Sequence, residues 1–303
     1  MQLREADLEA YLRLLAPDAT EERRARQLER IRAAVATGDR DLGDTRVAKS
    51  PAGELRAVLR LMLIGGETFM LSRPVMADAD ADAQIVDLLA EAMQRAQAQG
   101  ARIVRARPRV GEAGPLYLGA LSDHGFAQLG ERSEFKTAVS ELPLDDGSPL
   151  QWRDLTEVGE ELAAATLLAA AAGDPHGRDE QQDPRAALAE WLGAPELTTG
   201  PDCIQVGFLD DRAVAFVCAQ VAPKDGWARI SYMGIVPAAR GRGLGTWVHR
   251  RGFRMLRDQG GTLYHGGTSA KNAGMLALFR KHGCKEVLRM LEFEWCAASK
   301  TTA

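Results

Sequence analysis

The sequence predicts an α/β protein with two tandem copies of one α+β fold, each a mixed twisted sheet flanked by helices. Three observations lead to this prediction. First, the chain has 303 residues, more than a single domain usually contains. Second, short apolar runs alternate with helical patterns along the second half, and related patterns recur in the first half. Third, residues 228–261 combine a strand, a glycine-rich turn and a helix.

Composition restricts the class of protein and the kind of partner. The sequence is 46% hydrophobic and 26% charged, which is typical of a globular protein with a large core. A net charge of −4 without a long basic run argues against nucleic acid or a membrane surface as the partner, and it leaves room for a cationic amine substrate. The charged start lacks the features of a signal peptide, and no apolar run is long enough to span a membrane. The four cysteines show no C-x-x-C spacing, so we expect a cytoplasmic protein with reduced thiols.

The boundary between the two copies is predicted near residue 145. All five tryptophans and all four cysteines lie at or after position 152. The segment 141–149 holds two prolines, a glycine and two aspartates, a composition typical of a linker. We therefore expect one domain at 1–142 and a second at 150–298.

The most specific motif lies in the second half. The apolar run Ile230–Val236 ends at Pro237 and predicts a strand, and helical periodicity from Thr246 ends at Gly260-Gly261. Between them stands the sequence Arg240-Gly-Arg-Gly-Leu-Gly245. Glycines let a backbone approach an anion closely, and the N–H groups and dipole of a helix start attract phosphate. The turn lacks the following Lys-Ser/Thr of a P-loop and the spacing of a dinucleotide fingerprint.

The pattern V-P-x-x-R-G-x-G-x-G, from Val236 to Gly245, resembles the acetyl-CoA signature of the GNAT superfamily of N-acetyltransferases. The resemblance implies that acetyl-CoA is the co-substrate, and that a splayed strand and the loop hold it. By position, it assigns the pantetheine arm to Ile235 and Val236. It assigns the pyrophosphate to Arg240, Gly241, Arg242, Gly243, Leu244, Gly245 and Thr246.

The flanking segments extend this resemblance from about Trp152 to Trp295. The predicted elements, in order, are helices at Glu160–Ala172 and Pro184–Leu192, a hairpin of Ile204–Leu209 with Ala213–Val221, the signature strand and helix, a strand at Thr262–His265, a helix at Asn272–Gly283 and a closing strand at Leu288–Trp295. The late helix resembles the family's N-x-x-A-x-x-L-Y-x-x-x-G-F helix. Asn272 is therefore expected either to cap that helix, to bind the cofactor, or both.

Two positions depart from the family pattern. The tyrosine that often protonates the departing CoA thiolate aligns with Phe279, which can only pack beside the thioester. The signature strand offers Ser231 and Tyr232 where relatives often carry a carboxylate as general base.

His265 is the first candidate base, because it ends the strand beside the signature strand; the alternative is a histidine with a purely structural role. Tyr232 could relay a proton or simply pack its ring. Other polar residues have structural explanations: His282 as a helix cap, Glu292 and Glu294 on an exposed strand face, and Cys284 in the core.

The first half is interpreted as a divergent copy of the second. Leu118–Phe126 resembles Leu276–Cys284 at an offset of 158 positions. Where the second copy has its glycine loop, the first has Ala77-Asp-Ala-Asp-Ala-Asp82, whose carboxylates would repel pyrophosphate. We expect Asp78, Asp80 and Asp82 to cap a helix, with no metal bound, and the first copy to be non-catalytic.

The predicted function is transfer of an acetyl group from acetyl-CoA to the primary amine of a small molecule, by direct attack in a ternary complex. The tandem arrangement resembles the two-domain GNAT group that includes mycothiol synthase, and the polar segment Gly173–Pro184 occupies the region that shapes acceptor choice in the family. The alternatives are a non-catalytic CoA-binding sensor and transfer to protein or peptide amines. A monomer or homodimer is expected.

Overall fold

The computed structural model describes residues 1–38, 40–173, 188–189, 197–198, 200–223 and 226–297. The chain divides into two compact units, one comprising Met1–Arg132 and Arg289–Ala303, the other Ser133–Leu288. The domain limits 1–142 and 150–298 stay a prediction. Most of the helix predicted at Pro184–Leu192 and most of the acceptor segment Gly173–Pro184 lie outside the described residues, and of that helix only residues 188 and 189 are described, both helical. Within the described parts of the chain, no helix has the length and apolar character needed to cross a membrane.

The described elements of the second half follow the predicted order, and the predicted helix at Pro184–Leu192 stays a prediction. The helices are α1 (Leu8–Leu15), α2 (Glu21–Ala36), α3 (Asp82–Ala98), α4 (Pro115–Asp123), α5 (Leu155–Ala171), α6 (Gly245–Asp258) and α7 (Ala273–Lys281). The strands are β1 (Thr45–Lys49), β2 (Leu55–Gly65), β3 (Thr68–Leu71), β4 (Val75–Met76), β5 (Ile103–Ala106), β6 (Ala127–Ala138), β7 (Gln151–Asp154), β8 (Ile204–Leu209), β9 (Arg212–Ala222), β10 (Trp227–Ile235), β11 (Leu263–Ser269) and β12 (Lys285–Cys296).

The first unit contains a mixed sheet in the order β1-β2-β3-β5-β12, with β4 on β2. The strands β3 and β5 are parallel and pair at four positions, from Thr68 opposite Ile103 to Leu71 opposite Ala106. Leu88, Leu89 and other apolar residues of α3 pack on this sheet in a buried core. The first unit thus has the strand–helix–strand arrangement predicted for a repeat of the second.

Two expectations for charged residues of the first unit are corrected by the structure. Asp78 does cap a short turn, since its carboxylate accepts from the N–H of Asp80 at 3.1 Å. Asp82, however, accepts from the N–H of Leu116 at 3.3 Å and so caps α4 instead of its own helix. Glu292 is only 7% exposed and pairs with Arg107 at 3.2 Å, so an exposed strand face is the wrong explanation for it.

The second unit has the strand order β7-β8-β9-β10-β11-β6. The β8–β9 hairpin turns through Asp210 and Asp211, whose φ values of 50° and 59° match a two-residue turn with both central residues left-handed. Alternate residues of β9 pack against α5 on one face of the sheet and against α6 on the other, as period-two patterning requires. Cys284 is 7% exposed in the second of these cores, as predicted.

The segment predicted as a linker is packed against α6. Asp145 is 7% exposed and forms ion pairs with Arg251, at 3.3 Å, and with Arg254. Arg257 donates to the carbonyls of Val139 and Leu142, each at 3.0 Å. Polar and turn-forming residues therefore mark an ordered segment here, because three arginines at helical spacing bind it.

Candidate active site

An opening between two parallel strands forms the centre of the candidate site. β10 and β11 pair only at Trp227 with Leu263 and at Ala228 with Tyr264, although β10 continues to Ile235 and β11 to Ser269. On its other edge β10 stays paired with β9 as far as Ile235. The strands therefore diverge after Ala228, which leaves one edge of β10 facing the opening with backbone groups that need partners.

A cavity of about 140 Å³ occupies this opening. It is lined by Ile230, Ser231, Tyr232 and Met233 of β10, by Tyr264, Gly266, Gly267 and Thr268 of β11, and by Asn272, Met275 and Phe279 of the α7 region. The register of β10 against β9 shifts between Ile230 and Tyr232, which marks a bulge at Ser231. Bulges re-aim side chains and increase local twist, in keeping with the divergence of the two strands.

The glycine loop has the geometry of an anion site. Gly241 and Gly243 adopt φ values of 76° and 74°, which favour glycine strongly. Among the described residues, no acceptor lies within hydrogen-bond distance of the five backbone N–H groups from Gly241 to Gly245. These groups stand at the N-terminus of the 14-residue helix α6, where both the free donors and the helix dipole attract a phosphate.

The cations around this loop differ in what they bind. The Arg240 guanidinium donates to the carbonyls of Ile235 at 2.9 Å, Ala170 at 3.0 Å and Ala172 at 2.7 Å, so it ties the loop to the end of α5. Its predicted phosphate contact stays a prediction. Arg242 is exposed and has no ion pair with any described residue. Lys281, which sequence reasoning did not select, donates to the Thr246 hydroxyl at 3.0 Å and adds a positive charge beside the loop.

Two of the remaining predicted cofactor residues, Asn272 and Phe279, line the cavity, whereas Ile235 and Val236 are not among its lining residues. Ile235 ends β10, and the N–H of Val236 donates to the carbonyl of Val214 at 3.0 Å. Asn272 caps α7 through a hydrogen bond from the Met275 N–H at 3.0 Å, as predicted, and also lines the cavity. Phe279 is 1% exposed and stacks on Phe135 with 4.1 Å between ring centroids.

His265 is engaged at both ring nitrogens. The Trp227 indole N–H donates to Nδ1 at 3.3 Å, and Nε2 lies 3.2 Å from the carboxylate of Glu134. The structure thus places the predicted base in a histidine–carboxylate pair. In this pair Glu134 supplies the acceptor oxygens, and its side chain is 13% exposed.

Ser231 and Tyr232 have other contacts. The Ser231 hydroxyl donates to Oε1 of the buried Gln220 at 2.5 Å and accepts from Arg229 at 2.9 Å. The hydroxyl proton of Ser231 is therefore used in the hydrogen bond to Gln220. The Tyr232 ring packs against Phe216 beneath α5, with centroids 6.2 Å apart. Both line the cavity, and their catalytic roles stay a prediction.

Sequence reasoning missed Glu134, Tyr264 and His249. A methyl group added at Gly267 would lie 2.5 Å from the Glu134 carboxylate oxygens, and one at Gly266 would lie 2.4 Å from the Tyr264 hydroxyl oxygen. Glycine weakens a strand interior unless another group must approach closely. The pair Gly266-Gly267 was therefore a usable signal that two polar groups approach β11, one at each residue.

A buried polar chain leads away from the Tyr264 hydroxyl. Nε2 of His249 lies 3.3 Å from that hydroxyl, and Nδ1 of His249 lies 3.0 Å from Nδ1 of His282. Burial holds the pKa of Tyr264 well above its ordinary value and the pKa of His249 well below. Burial, together with Arg250 and Lys281, lowers the pKa of His282 to about 4. The two imidazoles are therefore neutral at pH 7.

Residues 164–284 match the model of the acetyltransferase (GNAT) family. No curated protein matches the chain in sequence.

Several solved structures share the fold at low identity. A GCN5-related N-acetyltransferase from Sphaerobacter thermophilus is 17% identical, with a TM-score of 0.67, over 97% of this chain and 94% of that one. A tandem GNAT protein from the clavulanic acid biosynthesis pathway is 13% identical, with a TM-score of 0.53, over 85% of each chain. A GCN5-related glucosamine N-acetyltransferase region of a fungal multi-domain β-N-acetylglucosaminidase is 12% identical, with a TM-score of 0.60, over 97% of this chain and 38% of that one.

Proposed function

We propose that the chain, whose residues 164–284 match the model of the acetyltransferase (GNAT) family, transfers an acetyl group from acetyl-CoA to the primary amine of a small molecule. The observation that supports this most directly is the divergence of β10 from β11 after Ala228 beside a glycine loop with free N–H groups. A donor with a diphosphate at one end and a thioester at the other fits the loop and the opening together.

The donor end of the reaction uses backbone groups. The loop from Gly241 to Gly245 binds the diphosphate at the start of α6, and the pantetheine arm pairs with the open edge of β10. The thioester then enters the cavity, where N–H groups of β10 polarise its carbonyl. Preorganised donors of this kind stabilise the charge that develops on the carbonyl oxygen during attack.

The acceptor end requires a base, because a protonated amine has no lone pair for attack. We assign this role to the Glu134–His265 pair. The His265 Nδ1 lone pair already accepts from Trp227, so the proton from the amine goes to the Glu134 carboxylate while His265 holds that carboxylate in place. The carboxylate also attracts a cationic acceptor, which accords with the net charge of −4.

The acceptor class is a small amine, and amino sugars are the first to test. The fungal region with the same fold is a glucosamine N-acetyltransferase. A polyhydroxylated amine suits a site where the Glu134 carboxylate of β6 and the His265 imidazole of β11 lie side by side.

The first repeat is proposed to be non-catalytic. In the first unit, β3 and β5 stay paired along the whole of β3, so no opening for a pantetheine arm forms between them. The acidic turn from Asp78 to Asp82 replaces the glycine loop, and the Asp78 carboxylate binds Arg56 at 2.7 Å.

The second candidate function is a CoA sensor without turnover, which the phenylalanine at position 279 favours. The test is thiol release from acetyl-CoA against a panel of amino sugars, amino acids and polyamines. Acceptor-dependent release by the wild type, lost in Gly243→Asp, would support the enzyme. Gly147→Asp is the matched control, since Gly147 also has a positive φ, of 78°, and no atom nearby. Binding of CoA without release against any amine would favour the sensor.

A further inference from the structure

Thioester aminolysis places a negative charge on the departing sulfur, and this charge must be neutralised by a proton. The amine nitrogen forms a bond to the carbonyl carbon, the carbon–sulfur bond breaks, and the sulfur departs with the electron pair as a thiolate. A buried thiolate is strongly disfavoured, so a proton donor in the cavity speeds its departure. Phe279 has no proton to give, and the Ser231 hydroxyl already donates to Gln220.

The Tyr264 hydroxyl is placed to meet this need. Tyr264 lines the cavity in the opening between β10 and β11 and is itself 1% exposed. The point that a methyl group on Gly266 would occupy lies 2.4 Å from the Tyr264 hydroxyl oxygen and 2.9 Å from Cε1 of Phe279. The hydroxyl of residue 264 therefore lies beside the ring of residue 279, at the wall of the same cavity.

We propose that Tyr264 is the catalytic acid that protonates the departing thiolate, supported by the buried His249–His282 pair; this rests on the acyl transfer proposed above. The hydrogen bonds run from Nδ1–H of His282 to Nδ1 of His249, and from Nε2–H of His249 to the Tyr264 oxygen. In that arrangement the phenolic proton is free to point into the cavity.

The proton balance closes over one cycle. Glu134 takes the first proton from the ammonium group and passes it to solvent, and it then takes the second proton from the nitrogen as the carbon–nitrogen bond forms. Tyr264 gives a proton to the sulfur, so the products are an amide, a free thiol and one proton released to solvent. The His249 N–H stabilises the phenolate formed on Tyr264. After product release, solvent carries one proton from Glu134 to Tyr264, which restores both groups.

Burial acts on both partners of the transfer. It raises the pKa of Tyr264 and so makes the phenol a weaker acid. The same dry surroundings raise the proton affinity of the emerging thiolate, so the transfer remains favourable although the phenol is a weak acid.

The first test is Tyr264→Phe, assayed by thiol release with the best acceptor. We expect kcat to fall about 100-fold with little change in acetyl-CoA affinity or Tm. Tyr117→Phe is the matched control, because Tyr117 is also a buried tyrosine, 0% exposed, in the first unit. The double variant Tyr264→Phe/Phe279→Tyr should recover at least a tenth of wild-type kcat, since it returns a hydroxyl beside Gly266. A kcat within twofold of wild type in Tyr264→Phe, or a loss of kcat that parallels a loss of acetyl-CoA binding, would overturn the proposal.

The second test does not depend on turnover. The pKa of the thiol of bound CoA is measured by NMR of the carbon next to the sulfur. If the Tyr264 hydroxyl faces the sulfur, Tyr264→Phe should raise that pKa by about one unit, because the thiolate loses a donor. An unchanged pKa would contradict the assignment. If the wild type releases no thiol with any amine, the acyltransferase proposal fails, and this titration still decides whether Tyr264 serves the sulfur.

Discussion

Two glycines of β11 allow polar side chains to come close to the strand at the candidate site. Gly266 makes room for the Tyr264 hydroxyl, and Gly267 makes room for the Glu134 carboxylate. Two glycines in a strand interior cost stability and form no side-chain contacts. Their presence is explained because a side chain at either position would displace a group assigned to proton transfer.

Gly266→Ala should therefore inactivate the enzyme while the protein still folds. The added methyl group would lie 2.4 Å from the Tyr264 hydroxyl oxygen and must push that ring, and Phe279, out of position. We expect kcat to fall at least 100-fold, measured by thiol release. The control is Gly274→Ala in α7, where the nearest atom lies 3.8 Å away and alanine should be neutral or slightly stabilising. Equal activity of the two variants would contradict this account.

Glu134→Gln tests the proposed base. Removing the carboxylate charge should lower kcat about 100-fold, because no group at that position then takes the amine proton. Glu141→Gln, at an exposed residue paired with Lys285, serves as the control and should behave as wild type. If Glu134→Gln keeps full activity while His265→Gln loses it, the base is His265 alone, as the sequence predicted.

Among the secondary-structure elements, α6 makes two separate sets of interactions, one at its N-terminus and one along its outer face. Its N-terminus presents free N–H groups of the loop from Gly241 to Gly245, and its outer face carries Arg251, Arg254 and Arg257, which bind the segment between residues 139 and 146. The helix that is proposed to bind the donor therefore also binds the segment between residues 139 and 146.

Asp145→Ala should destabilise the protein by about 2 kcal/mol, because it leaves Arg251 and Arg254 without their buried carboxylate. Thermal unfolding measures this as a lower Tm. Asp146 also pairs with Arg254 but is 82% exposed, so Asp146→Ala should change stability by less than about 0.5 kcal/mol. Equal effects of the two substitutions would show that burial of Asp145 is not what stabilises the segment.

The histidine pair between α6 and α7 should make stability depend on pH. His282 has a folded pKa of about 4 against an ordinary value of 6.5, so the unfolded chain binds more protons between those values. The contribution of neutral His282 to the free energy of unfolding is therefore fully present above about pH 6.5, and it is lost as the pH is lowered towards 4. His249 shifts in the same direction. When the pH is lowered from 6.5 to 4, the Tm of the variant His249→Asn/His282→Asn should fall less than the Tm of the wild type. Equal falls in Tm for the two proteins would contradict this role of the pair.

Taken as a whole, the molecule contains the same fold twice with one decisive difference. In the second unit the two central parallel strands pair at two positions and diverge, and in the first unit the corresponding strands pair at four. A sheet whose strands stay hydrogen-bonded offers no free edge to a ligand. The difference between the proposed active copy and the proposed inactive copy therefore lies in strand pairing as much as in the loop.

One acetyl-CoA should bind per chain. Isothermal titration calorimetry with the full-length protein measures the ratio directly. Gly243→Asp should abolish the binding, because a carboxylate then faces the diphosphate, and Gly53→Asp in the first unit, at a positive φ of 88°, should leave the ratio unchanged. A ratio of two would show that the first repeat also binds the donor.

The tandem fold, the glycine loop and the order of the described elements could all be predicted from the sequence, because each rests on local chemistry. Glycines at Gly241 and Gly243 are needed for a left-handed backbone, and a helix must start where the loop ends, so neighbouring residues suffice to recognise the motif. Period-two and helical patterns likewise depend on residues a few positions apart.

The catalytic assignments depend on residues far apart in the chain. Glu134 reaches His265 from a strand 131 positions earlier. The Tyr264 hydroxyl meets His249 of α6, which in turn meets His282 at the end of α7. In sequence, a buried histidine or tyrosine in an apolar stripe looks the same whether it fills the core or borders a cavity. Only strand register and the packing of helices on the sheet bring such groups within hydrogen-bond distance, because those contacts arise from long-range burial that no local pattern encodes.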